Sequence, residues 1–225
     1  MEKEVNKSHK LLDKTISLSI LFIIGSLWGF IHEYLYNLIM GIETVNKGLL
    51  YGPFIPVYGA GLVAFYLVYS KIKLKDKTKL QEIMIIFIIG FLMGGVTEYL
   101  CSYYQEKIFG TISWNYQDYV LNLHGRTSLF HASVWGILSV LFYEYMLPIL
   151  NKLKKYLLNK KIQIIAVVLS VFMLLDCSIS FLACYRQNER RNNIPTKNQL
   201  DTILDKYYPD EYITNVYVNA HIIKK

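Results

Sequence analysis

Five stretches of this chain contain no Asp, Glu, Lys, Arg or His: residues 15–31, 54–70, 83–97, 132–143 and 162–175. Such runs constrain a fold strongly, because a helix needs roughly 20 largely apolar residues to cross the hydrocarbon core of a bilayer. Each run continues at one or both ends into mainly uncharged sequence, so five spans can be drawn, at about 15–40, 54–72, 83–105, 127–148 and 162–184. The expected fold is all-α and polytopic. A cytoplasmic segment (1–14) precedes a transmembrane domain (15–184), and a polar tail (185–225) follows it. The composition agrees, with 53% hydrophobic and 15% aromatic residues pointing to lipid as the main solvent.

Lys10 and Lys14 ahead of the first run resemble the basic start of a signal peptide. The run is too long for one, no small-x-small cleavage site follows, and the sequence continues into "GFIHEYLYNLIMG" as helix. Cys101, Cys177 and Cys184 have neither metal nor redox spacing and read as packing residues.

Orientation follows from lysine. Cytoplasmic loops of membrane proteins are enriched in Lys and Arg, most reliably when the loops are short. The N-terminal segment, the loop after span two and the loop after span four together hold fourteen basic residues, whereas the alternate loops hold three, Lys47, Lys107 and Arg126. The N-terminus is therefore expected in the cytoplasm and, with five spans, the tail outside. The tail's own seven basic residues oppose that last step. Most of the net charge of +7 is orientation signal. Nucleic acid is not an expected partner, because the basic loops are short, lysine-dominated and without a stacking platform.

The spans also contain a repeat. "GSLWGFIHEYL" from Gly25 and "GFLMGGVTEYL" from Gly90 share G-x3-G-x3-E-Y-L, and "GLLYGPFIPVYG" (48–59) parallels "GRTSLFHASVWG" (125–136). A duplicated two-span unit, with about twelve extra residues in the second loop, predicts a parallel repeat about an axis along the membrane normal, plus a fifth span. Gly25, Gly29 and Glu33 fall on one helix face, as do Gly90, Gly94 and Glu98, and small residues at that spacing allow close helix approach. Packing of spans one and three across the axis would bring Glu33 and Glu98 together to share a proton.

Under this topology the polar intramembrane residues gather at the outer leaflet: His32, Glu33, Tyr34 and Tyr36 on span one; Glu98, Tyr99, Tyr103, Tyr104 and Glu106 on span three; His131 on span four; Asp176 past the middle of span five. Outer loops add Asn46, Lys47, Trp114, Asp118, Asn122, His124 and Arg126. Ionisable groups at membrane depth mark function unless they are structural glue. The candidate substrate-binding set is His32, Glu33, Asn46, Glu98, Tyr103, Glu106, Trp114, Asp118, Asn122, Arg126 and His131. Arg126 is the natural counter-charge, to a carboxylate or to an anionic headgroup. The loop "GTISWNYQDYVLNLHGR" (110–126) is too polar to span and too aromatic for a free linker, so it is expected to fold back at the interface. "NKGLLYGPFIPVYG" (46–59) suggests either non-helical backbone lining a cavity or a plain turn and helix start. The tail stretch "TKNQLDTILDKYY" is expected as a helix begun by Thr196 and stopped before Pro209.

Familiar catalytic and metal patterns fail. His32-Glu33 starts like a zinc-protease helix, but Tyr36 stands where H-E-x-x-H needs its second histidine. No G-x-S-x-G elbow or P-loop is present, and Ser70-x-x-Lys73 lies at a cytoplasmic helix end. No metal and no cofactor are expected.

"NKGLLYGPFIPVYGAG", "EYLCSYYQEKIFG", "WNYQDYVLNLHGRTSL" and "DKYYPDEY" resemble a bacterial membrane-protein family described as putative ABC-transporter permeases, the CmpB-like or type IV group. The similarity covers most of the chain. Lys47 and His124 stand where the family pattern has Arg and Asn, and "SWNYQDY" replaces a Trp-Asp-Tyr triplet. The resemblance implies a multi-pass cell-membrane protein with a separate ATPase subunit as partner. Membrane lipids are the other expected partner, with a homo-oligomer because five helices make a thin pathway wall. The leading expectation is a transport-related permease whose polar site opens toward the outer leaflet. In it Glu33 and Glu98 carry the coupling charge, and Arg126, Asn122 and His131 orient a polar or anionic substrate. The alternatives are an intramembrane transferase or hydrolase on a lipid or lipid-linked substrate, with a Glu or His as general base, and a structural or sensory protein.

Overall fold

The computed structural model of the chain describes residues 2–41, 48–157 and 159–223; Asn46 and Lys47 lie outside the described residues. Helix α1 spans Glu2–Ile39, α2 Pro56–Tyr69 and α3 Lys79–Phe109. Three two-residue strands follow, β1 Thr111–Ile112, β2 Asn122–Leu123 and β3 Thr127–Ser128. Next come α4 Leu129–Leu141, a π-helical turn Phe142–Met146, α5 Leu147–Leu157, α6 Lys160–Arg191, α7 Gln199–Tyr207, α8 Asp210–Val216 and β4 His221–Ile222.

Among the described residues four helices are long and apolar enough to cross a membrane: Lys14–Ile39, Lys79–Phe109, Leu129–Leu153 and Lys160–Arg191. The protein is thus a mostly helical, multi-pass membrane protein. Helix α2 is apolar but has 14 residues, which at ~1.5 Å per residue reach only about 21 Å against a hydrocarbon core of ~30 Å. Proline sets its start. Pro53 and Pro56 lack N–H groups and push the residues before them away from helical backbone, so residues 48–53 run as bends and 54–55 as irregular chain.

By their contacts the described residues group into two compact units, residues 1–67 with 149–180 and residues 68–148 with 181–225. In the first, Ile16, Ile20 and Ile23 of α1, Leu49 and Phe54 of the bent segment, and Ala166 and Met173 of α6 form a buried core. A Cβ on Gly25 would lie 2.8 Å from Gly59 Cα, and one on Gly29 2.7 Å from Tyr58 Cβ, so only glycine lets α1 and α2 meet this closely. The bent segment's N–H groups are satisfied from neighbouring helices. Ile55 N–H donates to Ser26 O at 3.0 Å, Leu50 N–H to Ser180 Oγ at 3.0 Å, and Tyr51 N–H to both oxygens of Asp176 at 3.2 and 3.3 Å. Gly52 turns the chain at φ +71°, a backbone region open to glycine at no steric cost.

In the second unit α3 starts in a capping box, Gln81 N–H donating to Thr78 Oγ1 at 3.3 Å and Thr78 N–H to Gln81 Oε1 at 3.1 Å. It ends at Gly110, left-handed at φ +64°, whose N–H returns to Glu106 O. Helix α3 packs along α4. A Cβ on Gly90 would fall 3.0 Å from Trp135 O and onto the Ser139 side chain, and one on Gly94 2.6 Å from Trp135 Cδ1. The π turn has a cause in Pro148, which offers no N–H to the carbonyl four residues back; Leu147 N–H bonds Phe142 O instead.

The tail folds onto this unit. Strand β4 pairs antiparallel with β1, Thr111 opposite Ile222, and Asn188 Nδ2 donates to Ile108 O at 2.9 Å. Buried Arg186 holds Asp205 through two bonds of 2.9 Å and Glu189 at 3.0 Å, while Arg190 bridges Asp205 at 2.6 Å and Asp210 at 2.5 Å. The expected helix start at Thr196 is displaced. Asn198 caps α7, accepting from Asp201 N–H at 2.9 Å, and Thr196 donates to Asp205 at 3.1 Å.

Candidate functional site

The two glutamates of the repeated pattern each find a hydroxyl partner within their own unit. In the first, Glu33 accepts from Tyr58 at 2.8 Å, and His32 Nδ1 lies 3.5 Å from the same hydroxyl. Tyr58 is the residue that packs over Gly29, so the close helix contact also aims the phenol at the carboxylate.

In the second unit Glu98 accepts from Thr127 Oγ1 at 2.9 Å, and the Tyr116 phenol lies near the same carboxylate. Burial raises the Tyr116 pKa above its ordinary value, and the nearby Glu98 carboxylate raises it further, so this phenol stays protonated and remains a donor. Among the described residues no Lys, Arg or His lies within ion-pair distance of Glu98. Arg126 instead pairs with Glu106 and lies over the rings of Tyr99 and Tyr103, at 5.6 and 5.4 Å. Its Nε is buried without a hydrogen-bond partner.

His131 is stacked on Tyr116, ring centroids 3.6 Å apart and planes within 10°, with Nδ1 at 2.8 Å from Ser128 Oγ. Ser128 also caps α4 by accepting from His131 N–H at 3.3 Å. Tyr99 OH lies 3.1 Å from His124 Nδ1. Around these groups the loop of residues 111–128 forms a small hairpin, β2 pairing with β3, in which Trp114 donates to Arg126 O at 2.9 Å.

Not every residue of the expected set has an outward-directed role. Asn122 is engaged within the loop, donating to Gln117 O and Tyr119 O at 3.0 Å and accepting from Gly125 N–H. Trp114 holds the loop to Arg126. Asp118 is exposed on the hairpin, and Tyr103 forms a rest for Arg126 and for Lys107 at 5.7 Å. Among the described residues no three His, Cys, Asp or Glu side chains gather to hold a metal ion.

Tyr58, Tyr116, Thr127 and Ser128 were not singled out from sequence. Tyr58 had a signal, since it ends the first copy of the eleven-residue step opposite Trp135. Thr127 and Ser128 had none beyond their place before an apolar run, because hydroxyl donors to a distant carboxylate leave no periodic trace.

No curated protein and no solved structure matches the chain significantly. A family profile does match, over residues 20–181, from α1 through the bent segment, both helix pairs and the hairpin to α6. On that match the chain belongs to the family described as "Putative ABC-transporter type IV".

Proposed function

We propose that this protein is a small permease whose polar site lies around Glu98 and opens toward the extracytoplasmic side, serving transport driven by a separate ATPase subunit. The carrying observation is Glu98, a carboxylate on a membrane-length helix held by the Thr127 hydroxyl with no cation within ion-pair distance among the described residues. A carboxylate so placed is poised to accept a cationic or hydrogen-bond-donating substrate group, or a proton. Arg126, turned to Glu106, positions the hairpin in this reading, which shifts substrate preference from anionic to amine-bearing or neutral polar compounds. Glu33 with Tyr58 and His32 forms the counterpart in the first unit.

A fifth crossing by residues 48–72 belongs to the same reading. Its support is that Ser26, Asp176 and Ser180 satisfy the bent backbone, as non-helical chain at membrane depth requires. The parallel repeat is supported by like contacts in each unit: Gly29 against Tyr58 and Gly94 against Trp135, with Gly25 and Gly90 meeting the carbonyls of those same two residues.

Affinity purification from native membranes in mild detergent tests the transport reading. An ATP-binding subunit is expected to co-purify, and proteoliposomes of the complex should equilibrate at least one component of a polar-metabolite extract faster than those bearing Glu33→Gln and Glu98→Gln together. An unchanged double variant would count against it.

A second reading, an intramembrane hydrolase or acyltransferase, gains from the Ser128–His131 contact, a hydroxyl and a base within hydrogen-bond reach. Labelling of Ser128 by an alkyl fluorophosphonate, lost in His131→Ala, would favour catalysis; a Ser128 that does not label is acting only as a helix cap.

A further inference from the structure

An apolar groove of about 410 Å³ lies on the second unit between α3, the hairpin and the start of α4. That size falls within the roughly 300–1,000 Å³ of small-molecule sites. Its walls are aliphatic, chiefly Leu92, Val96, Leu100, Leu121, Leu123 and Leu129, and its floor is Gly95 with Ala132. The wall leucines and Val96 are exposed, so on a membrane helix the groove opens onto hydrocarbon.

Gly95 makes the groove. Unlike Gly90 and Gly94, it is not pressed against the facing helix: a Cβ there would meet Ala132 Cβ at 3.5 Å and Thr127 Oγ1 at 3.8 Å, ordinary contacts. When the two G-x3-G-x3-E segments are aligned, the corresponding position in the first is Phe30.

The rim is polar. Thr127, Ser128 and Tyr99 line it, and Thr127 and Tyr99 carry the bonds to Glu98 and His124. Glu98 supplies a carboxyl group with no Lys, Arg or His within ion-pair distance among the described residues, and Lys107 and the Glu106-paired Arg126 flank Tyr103 one helical turn beyond Tyr99. An apolar slot whose rim residue Thr127 bonds the Glu98 carboxylate, with the Lys107 ammonium farther out, matches a headgroup that carries an ammonium and a phosphate.

We propose that the groove binds one acyl chain of an amine-bearing phospholipid, phosphatidylethanolamine in kind, with the ammonium at Glu98 and the phosphate toward Lys107. The site takes a lipid from the leaflet that bathes α3, and selectivity between headgroups resides in Glu98. This rests on the bilayer-embedded, outward-opening reading above and not on transport itself.

Native mass spectrometry of the full chain released from nanodiscs of equal phosphatidylethanolamine and phosphatidylglycerol tests it. The wild type should retain phosphatidylethanolamine in severalfold excess. Gly95→Leu should lose the retained lipid, Gly95→Ala should lose part of it, and Gly61→Leu, at a position with open space around it, should lose none. Glu98→Gln should keep lipid but without headgroup preference. Equal thermal unfolding of Gly95→Leu and wild type certifies that the groove is filled in a folded protein. Equal retention of both lipids by the wild type, or unchanged retention in a folded Gly95→Leu, would overturn the proposal. Failure of an ATPase to co-purify would remove the permease reading and leave the lipid result standing.

Discussion

In the first unit Gly25 and Gly29 of α1 lie against Gly59 and Tyr58 of α2; in the second Gly90 and Gly94 of α3 lie against Ser139 and Trp135 of α4. Next to the same glycine face the two differ. Phe30 in one is Gly95 in the other, and Glu33 bonds a phenol on the neighbouring helix whereas Glu98 bonds a threonine of the hairpin. The bent segment of the first unit is tied by Asp176 and Ser180, leaving its backbone closed; the hairpin of the second rises beside an open groove. The glycines set how closely a helix pair packs. The residue beside them differs in size, and the groove lies next to the glycine, not the phenylalanine.

Substitution at the shared contacts should break both units most severely. Gly94→Leu drives a side chain into the Trp135 ring and Gly29→Leu into Tyr58; overpacking of this kind destabilises by about 1–3 kcal/mol or more. Thermal unfolding in detergent should show either variant unfolding far below Gly61→Leu, which should match the wild type.

Comparable in size, but confined to the tail, is the effect of Arg186→Met. The guanidinium is 3% exposed and holds Asp205 and Glu189, and removing one member of a buried ionic network destabilises by about 3–5 kcal/mol when the remaining charges stay buried. Asp205 is partly exposed, so the lower end of that range is expected. Limited proteolysis should cut the tail between α6 and α7 in the variant and leave it intact in the wild type.

A smaller effect is set by acid. Bonds from Arg186, then Arg190 and Thr196, lower the Asp205 pKa to about 2, against an unfolded value near ~3.9. A depressed carboxylate stabilises the fold above its unfolded pKa, and that contribution is lost as pH falls through the folded value. Amide exchange in α7 should therefore accelerate as pH drops from about 4 toward about 2, after correction for intrinsic rates, with no such step in Asp205→Asn.

Smallest of all, Phe30→Gly should give the first unit a groove of its own, seen as added lipid retention in native mass spectra. If the variant retains no extra lipid, the one-residue account of the difference between the units is wrong.

Much of this was legible in sequence because hydrophobicity and glycine spacing are periodic. Charge-free runs marked the spanning helices, and G-x3-G-x3-E marked the faces that pack. In the second apolar run the helix covers Pro56–Tyr69, and hydrophobicity alone does not show that Pro53 and Pro56 set its start. Around Arg126 the sequence names candidate residues without their pairings. Arg126 pairs with Glu106, one helical turn beyond Tyr103, and Asn122 is used within its loop; such choices depend on how a hairpin closes. The tail's helix was visible, yet its cap moved from Thr196 to Asn198 because Arg186 and Asp205 engage Thr196.

The central claim, a polar site opening outward on the second unit, can be measured without knowing the substrate. In a background with Cys101, Cys177 and Cys184 replaced by serine, single cysteines at Asp118, Tyr103 and Lys75 are treated in intact cells with a membrane-impermeant maleimide. The account predicts labelling at Asp118→Cys and Tyr103→Cys, and at Lys75→Cys only after permeabilisation. Labelling of Lys75→Cys in intact cells, with Asp118→Cys and Tyr103→Cys protected until lysis, would contradict it.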